Sequence, residues 1–256
     1  MKKITTHESN TKAYIGMALS TLIIGLSFVF VKIALRVSSP LDLLAHRFNA
    51  ATIALFVVFM LGYVEKPQLN RRQLWQLLSV SVFYPLLFFA LQAIGLQYTP
   101  ASEAGILSAI TPVMTLILAS VMLKERSSFG QIMGVIVSIA GTCYIFLMSG
   151  TAIQGDSMLG NILILLSVLS IVFYYIFGRK INHNYRSMDI TVVMIILADV
   201  VFNVFALGYH MADGTVADYF APVFDLQFIY AILYLGVLSS LVTSLFNNYA
   251  LAHIPA

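Results

Sequence analysis

Of 256 residues, 60% are hydrophobic and only 10% carry a formal charge, and the mean hydropathy is +0.91. A water-soluble domain is about 45–50% apolar and about 25% charged, so this composition excludes a soluble globular enzyme and leaves an integral membrane protein. The net charge of +3 resides in short connections between apolar segments and does not point to nucleic acid.

Residues 1–12 are polar and basic, and an apolar run of about 22 residues follows them. A signal-peptide core is about 7–15 residues long and precedes a small-residue cleavage site. This run is longer and has no such site, so it reads as a retained first transmembrane helix. A helix needs about 20 apolar residues to cross the bilayer core. Eight segments qualify: 14–35, 41–63, 74–96, 100–123, 130–148, 158–178, 188–209 and 227–250.

In the second span Arg47 lies about two turns from one end, with Asp42 and His46 nearby. It can bind an anionic solute group through its planar fork, snorkel to the interface, or pair with an acid. Tyr84 precedes Pro85 near the centre of the third span, and Pro112 falls near the centre of the fourth. A proline removes a helical hydrogen bond and kinks its helix. Gln92 on span three, and Asn247 and Asn248 on span eight, are either cavity liners or ordinary interhelical hydrogen-bonders. Glu103, one turn into span four, either faces a cavity mouth or complements the helix dipole. Gly134, Ser138 and Gly141 on span five form a small-residue face suited to close helix packing. The lone Cys143 excludes a disulfide framework.

Asp199 lies eleven residues into span seven, about 16 Å along the helix and near the midplane. An acid at that depth is costly and functional by default. Asn203 is one turn further on the same face. Asp199 reads either as a coupling carboxylate for a proton or solute, or as a neutral acid hydrogen-bonded within the bundle. Residues 211–226 form the one long connection, with Asp213, Asp218 and Asp225. Trp75 and Tyr63 sit at span boundaries like interface anchors, and Lys124, Glu125 and Arg126 read as a solvated turn.

Orientation follows from the Lys and Arg distribution. With the amino terminus cytoplasmic, eleven basic residues lie inside: Lys2, Lys3, Lys12, Lys66, Arg71, Arg72, Lys124, Arg126, Arg179, Lys180 and Arg186. Only Lys32 and Arg36 lie near the outer side. The chain also repeats itself. Gly16, Phe30 and Arg36 match Gly160, Tyr174 and Lys180 at a separation of 144, and Leu96, Pro100 and Ala101 match Leu251, Pro255 and Ala256 at 155. One repeat then holds five helices, residues 14–148, and the second, 158–256, holds three. An odd number of spans inverts the second copy in the membrane, the construction of many secondary transporters.

Spans four and five, with their junctions, run from Tyr98, Thr99, Pro100, Ala101, Ser102, Glu103, Ala104 and Gly105 to Thr111 and Pro112, then Leu123 to Arg126, Gln131, Gly134 and Gly141. With Pro40 and Arg47 in span two, this pattern resembles the EamA-type domain of the drug/metabolite transporter superfamily. The resemblance implies an all-α polytopic membrane protein of ten helices in two inverted five-helix repeats, both termini cytoplasmic. It also implies transport of small metabolites, often as export, and an acid at the position of Glu103. Against that pattern the chain resembles a member truncated at its carboxyl end, with eight helices of ten. The expected function is a secondary transporter in the plasma membrane, an exporter of small metabolites or amino-acid-like solutes. It would work by alternating access with proton coupling. Its partners are a small-molecule solute and the lipid bilayer, with no nucleic acid, cofactor or metal. Its pathway candidates are Asp199, Asn203, Arg47, Glu103, Gln92, Asn247, Asn248 and Tyr84. The competing readings are a partial fragment of such a transporter and a membrane-embedded enzyme. The enzyme would need clustered His, Asp or Glu near one membrane face, and the sequence holds no such cluster.

Overall fold

The computed structural model describes residues 6–62, 67, 69–123, 128–149, 158–182 and 185–253. The described residues are all-α, without strands. Eight helices follow the hydropathy: α1 (Thr6–Ala34), α2 (Pro40–Met60), α3 (Arg71–Tyr98), α4 (Ala101–Met122), α5 (Phe129–Ser149), α6 (Met158–Asn182), α7 (Ser187–Asp213) and α8 (Leu226–His253). Seven are long and apolar enough to cross a membrane, and α5 carries a shorter apolar stretch, Phe129–Thr142. A backbone in lipid must satisfy its polar groups internally, and for that reason the apolar runs and the helices coincide so closely.

Local chemistry sets the helix ends. The Ser39 hydroxyl accepts from the Asp42 amide at 3.1 Å, with Pro40 at the first helical position of α2. Asn70 and Gln73 form a reciprocal capping box on α3, at 2.9 and 2.8 Å. Asp225 caps α8 by accepting from the amides of Gln227 and Phe228. The helix α7 runs on through Asp213 and stops at Gly214, whose φ of +70° favours glycine. Residues 211–226 are therefore not an open loop. They comprise the end of α7, a helical turn Val216–Phe220 and a 3₁₀ turn Ala221–Phe224.

Both expected proline kinks are present. In α3 the helix breaks at Tyr84 (φ −141°, ψ 120°), the extended geometry favoured before proline. The Ser170 hydroxyl of α6 donates to the Phe83 carbonyl at that break, at 2.8 Å. In α4 the segments Ala101–Ser108 and Thr111–Leu118 are separate, with Pro112 in the first turn of the second.

The helices pack as α2 on α7, α3 and α4 on α6, and α1 on α8. Leu43 and Phe48 of α2, Leu77 and Phe89 of α3, Ile164 and Tyr174 of α6, Ile195 of α7 and Leu235 of α8 form one continuous core. The outward faces are apolar too, with Leu22, Ile53, Phe56, Val200 and Val204 exposed, as lipid contact requires. The tightest approach joins α3 to α6. A Cβ on Gly160 would lie 2.7 Å from the Gly95 carbonyl oxygen and would collide with the Thr99 hydroxyl. Only hydrogen fits there. Gly134 and Gly141 behave differently from the expected packing face: a Cβ on either meets nothing within 4 Å. Gly134 and Ser138 instead open onto a cavity. Tyr63, residues 124–126, Pro255, Ala256 and the Cys143 side chain lie outside the described residues.

Candidate functional site

Arg47 is 1% exposed and is the largest fully buried side chain of the core. Its Nε donates to Ser240 Oγ at 2.7 Å, and Nη2 donates to Ser239 Oγ at 3.1 Å and to the Ser239 carbonyl at 3.2 Å. The guanidinium carbon sits 3.8 Å above the Phe89 ring, a cation–π contact. Arg47 therefore neither snorkels nor pairs with any described acid, contrary to two of the readings open for it. The serines lie where α8 widens into π-helical turns, Tyr234–Val242. There a Cβ on Gly236 would fall 2.6 Å from the Arg47 carbonyl oxygen, so α2 and α8 touch backbone to backbone. The closeness brings the serine hydroxyls within reach of the fork.

Four other candidates are held in helix packing. Asn248 accepts from the Tyr174 hydroxyl of α6 and donates to Thr191 Oγ1 of α7 at 2.8 Å. The Tyr84 and Ser244 hydroxyls are 3.0 Å apart. Gln92 is buried. Glu103 accepts from Asn161 Nδ2 at 2.6 Å, and Asn161 Oδ1 accepts from the Thr99 hydroxyl at 2.9 Å. Glu103, read as facing a cavity mouth or complementing the helix dipole, thus clamps the start of α4 to the start of α6.

Asp199 and Asn203 come together as their spacing requires, and they line a groove on the α2–α7 seam with Asn49 and Met211. Asn203 Nδ2 donates to Asp199 Oδ1 at 3.0 Å and to Asn49 Oδ1 at 2.8 Å. Asn203 Oδ1 accepts from the Tyr219 hydroxyl at 2.7 Å. Tyr219 comes from the turn after α7, outside the spans. Burial pushes its phenol above the ordinary value. Its ring stacks on His46, whose Nε2 lies 2.8 Å from the Tyr219 carbonyl oxygen. Beside it His210 Nε2 is 3.0 Å from Asp42 Oδ1, and Nδ1 is 2.8 Å from Thr215 Oγ1. Asp42 occupies the first turn of α2 and His210 the last turn of α7, the ends whose dipoles favour an anion and a cation respectively. A polar ladder thus descends from one end of the bundle to Asp199 at mid-helix.

The second feature is a cavity of about 650 Å³, within the range of small-molecule sites. Its walls come from α1 (Thr21, Gly25, Phe28), α4 (Thr111, Thr115), α5 (Gly134, Ser138), α6 (Ile171, Tyr175) and α8 (Asn247, Leu251). Asn247 is 5% exposed, and its Nδ2 has no hydrogen-bond partner among the described residues. Of the pathway candidates, Asn247 alone lines this cavity. No group of three or more His, Cys, Asp or Glu able to hold a metal occurs among the described residues.

The profile of the EamA-like transporter family matches residues 11–147 and again 158–256. The chain belongs to the EamA-like transporter family. This EamA-like chain is 44% identical over 249 residues to the uncharacterized transporter YcxC of Bacillus subtilis (strain 168), covering 97% of this chain and 80% of YcxC. It is 28% identical over 249 residues to an uncharacterized transporter of Archaeoglobus fulgidus, covering 95% and 81%. A solved crystal structure aligns with a TM-score of 0.60 at 15% identity, covering 91% of this chain and 80% of that one, a likeness of fold alone. The protein is a multi-pass membrane transporter.

In this EamA-like transporter several polar residues escape a linear reading. Asn49 sits inside an apolar run, and a mid-span amide is a signal in its own right. His210, Thr215 and Tyr219 gain meaning only when the α7–α8 connection folds back over the seam.

Proposed function

We propose that this chain is a secondary transporter of the cell membrane that moves small metabolites by alternating access. The observation that carries the reading is the 650 Å³ cavity walled by helices from both halves of the chain. Reciprocal packing supports an inverted pair of repeats. The end of α3 lies on the start of α6 at Gly95 and Gly160, and the end of α8 lies on the start of α1, where Ala13 and Ala250 are buried together. The two family matches divide at the same place. In this reading the amino terminus is cytoplasmic, transport is outward, and Asp199 carries the coupling proton. The Asp199 carboxyl lies beside Asn203 on an open groove, where it can exchange a proton and so bias which side the cavity opens to.

The test is independent of the solute. With Cys143 replaced by Ser, Ser138→Cys in proteoliposomes is labelled with a membrane-impermeant thiosulfonate from each side. Labelling from both sides is expected, with a ratio that shifts with pH, and Asp199→Asn removes the shift. Labelling from one side under every condition refutes alternating access. A pH shift that persists in Asp199→Asn refutes the coupling role.

A further inference from the structure

The cavity has a chemistry that narrows its solute. Among the described residues, none of the side chains lining it is Asp, Glu, Lys or Arg. Arg47 is not on the wall, and its fork is turned into Ser239, Ser240 and Phe89. Glu103 is engaged by Asn161, and Asp199 opens into the separate groove on the α2–α7 seam. Ionised groups moved from water to such a wall lose hydration and gain no counter-charge.

The polar groups that are present are uncharged dipoles, and two of the threonines are engaged within their own helix. The Thr111 hydroxyl donates to the Ser108 carbonyl at 2.6 Å, and the Thr115 hydroxyl donates to the Thr111 carbonyl at 2.8 Å. Their hydrogens are used within α4. Asn247 differs, since its buried Nδ2 donates to nothing among the described residues. A buried amide without a partner costs free energy, and a solute carbonyl or ether oxygen beside it removes that cost. The remaining wall is mostly apolar and partly aromatic, through Phe28, Ile171 and Tyr175, with Thr21, Ser108, Gln131 and Ser138 as further uncharged polar groups.

We propose that the solute is an uncharged amphipathic molecule, an apolar or aromatic body with a hydrogen-bond acceptor that Asn247 Nδ2 engages. Free amino acids, which carry both charges at neutral pH, are poor occupants of this site. The inference rests on the cavity being the transport site, and it deepens that reading.

The experiment uses the full chain in nanodiscs and measures saturable binding of three radiolabelled probes sharing one ring. They are N-acetyl-L-phenylalaninamide (neutral), N-acetyl-L-phenylalanine (an anion) and L-phenylalanine (a zwitterion). The neutral probe is expected to bind at least tenfold more tightly than either charged one. Asn247→Leu is expected to weaken it about 2- to 12-fold, the worth of one neutral hydrogen bond, and Asn247→Gln, which keeps the donor, to recover most of the loss. Equal binding of phenylalanine, no binding of the neutral probe, or an Asn247→Leu protein that binds as wild type overturns the proposal. So does an Asn247→Gln protein as weak as Asn247→Leu. None of these outcomes alters the two-sided thiol labelling, so failure of this inference is distinct from failure of the transporter reading.

Discussion

Replacing Gly160 by alanine adds a single methyl group where α3 and α6 touch. That methyl would sit 2.7 Å from the Gly95 carbonyl oxygen and 2.9 Å from Tyr98 Cβ, besides striking the Thr99 hydroxyl. Backbone cannot step aside as a long side chain can, so the helices must separate by several tenths of an ångström. Overpacking of this kind costs about 1–3 kcal/mol. Separation also stretches the Thr99–Asn161–Glu103 chain, where a lost hydrogen bond costs about 1 kcal/mol. The expected total is about 2–4 kcal/mol, read as the free energy of reversible unfolding in mixed micelles. Gly134→Ala is the matched control: its new methyl meets nothing within 4 Å, so it should not destabilise and should gain up to about 1 kcal/mol of helix propensity. Equal effects at the two glycines would show that α3 and α6 do not meet as described.

Three more outcomes are expected. Ser239→Ala with Ser240→Ala leaves the Arg47 fork with one carbonyl and one ring and should cost about 3–6 kcal/mol, at about 1.5–3 per bond to a charged group; unchanged thermal stability in detergent would contradict the assignment. Asp42→Ala strips the Ser39 hydroxyl and His210 of an acceptor and should lower stability by about 2–4 kcal/mol, whereas a melting temperature equal to wild type argues against the Asp42–His210 contact. Tyr219→Phe and Asn203→Leu should be coupled, with a double-mutant interaction energy of about 0.5–3 kcal/mol; strict additivity would break the ladder at that rung.

The spans were legible because lipid permits few backbone solutions, so a long apolar run and a helix are nearly the same statement. The kinks at Tyr84–Pro85 and before Pro112 were legible for an equally local reason, the missing amide of proline. Arg47 shows where locality ends. Its partners lie 192 and 193 residues away, and nothing in span two distinguishes an arginine facing serines from one facing an acid. The same holds for Asp42 and His210, 168 residues apart. The small-residue face of α5 went wrong because Gly134 and Ser138 leave space, and spacing alone does not say whether a neighbouring helix or a cavity occupies it. Asp199 and Asn203 came together because four residues along one helix fix a neighbour whatever the fold does.

The way Arg47 is held has a consequence for the charges its surroundings tolerate. Hydroxyls, one carbonyl and an aromatic face surround this guanidinium, and they orient around its charge without cancelling it. At an effective dielectric of about 20, a second positive charge 8 Å away is opposed by about 2 kcal/mol, roughly a thirtyfold drop in occupancy. A second cation brought that close to Arg47 is therefore disfavoured, while a neutral molecule meets the same field almost unopposed.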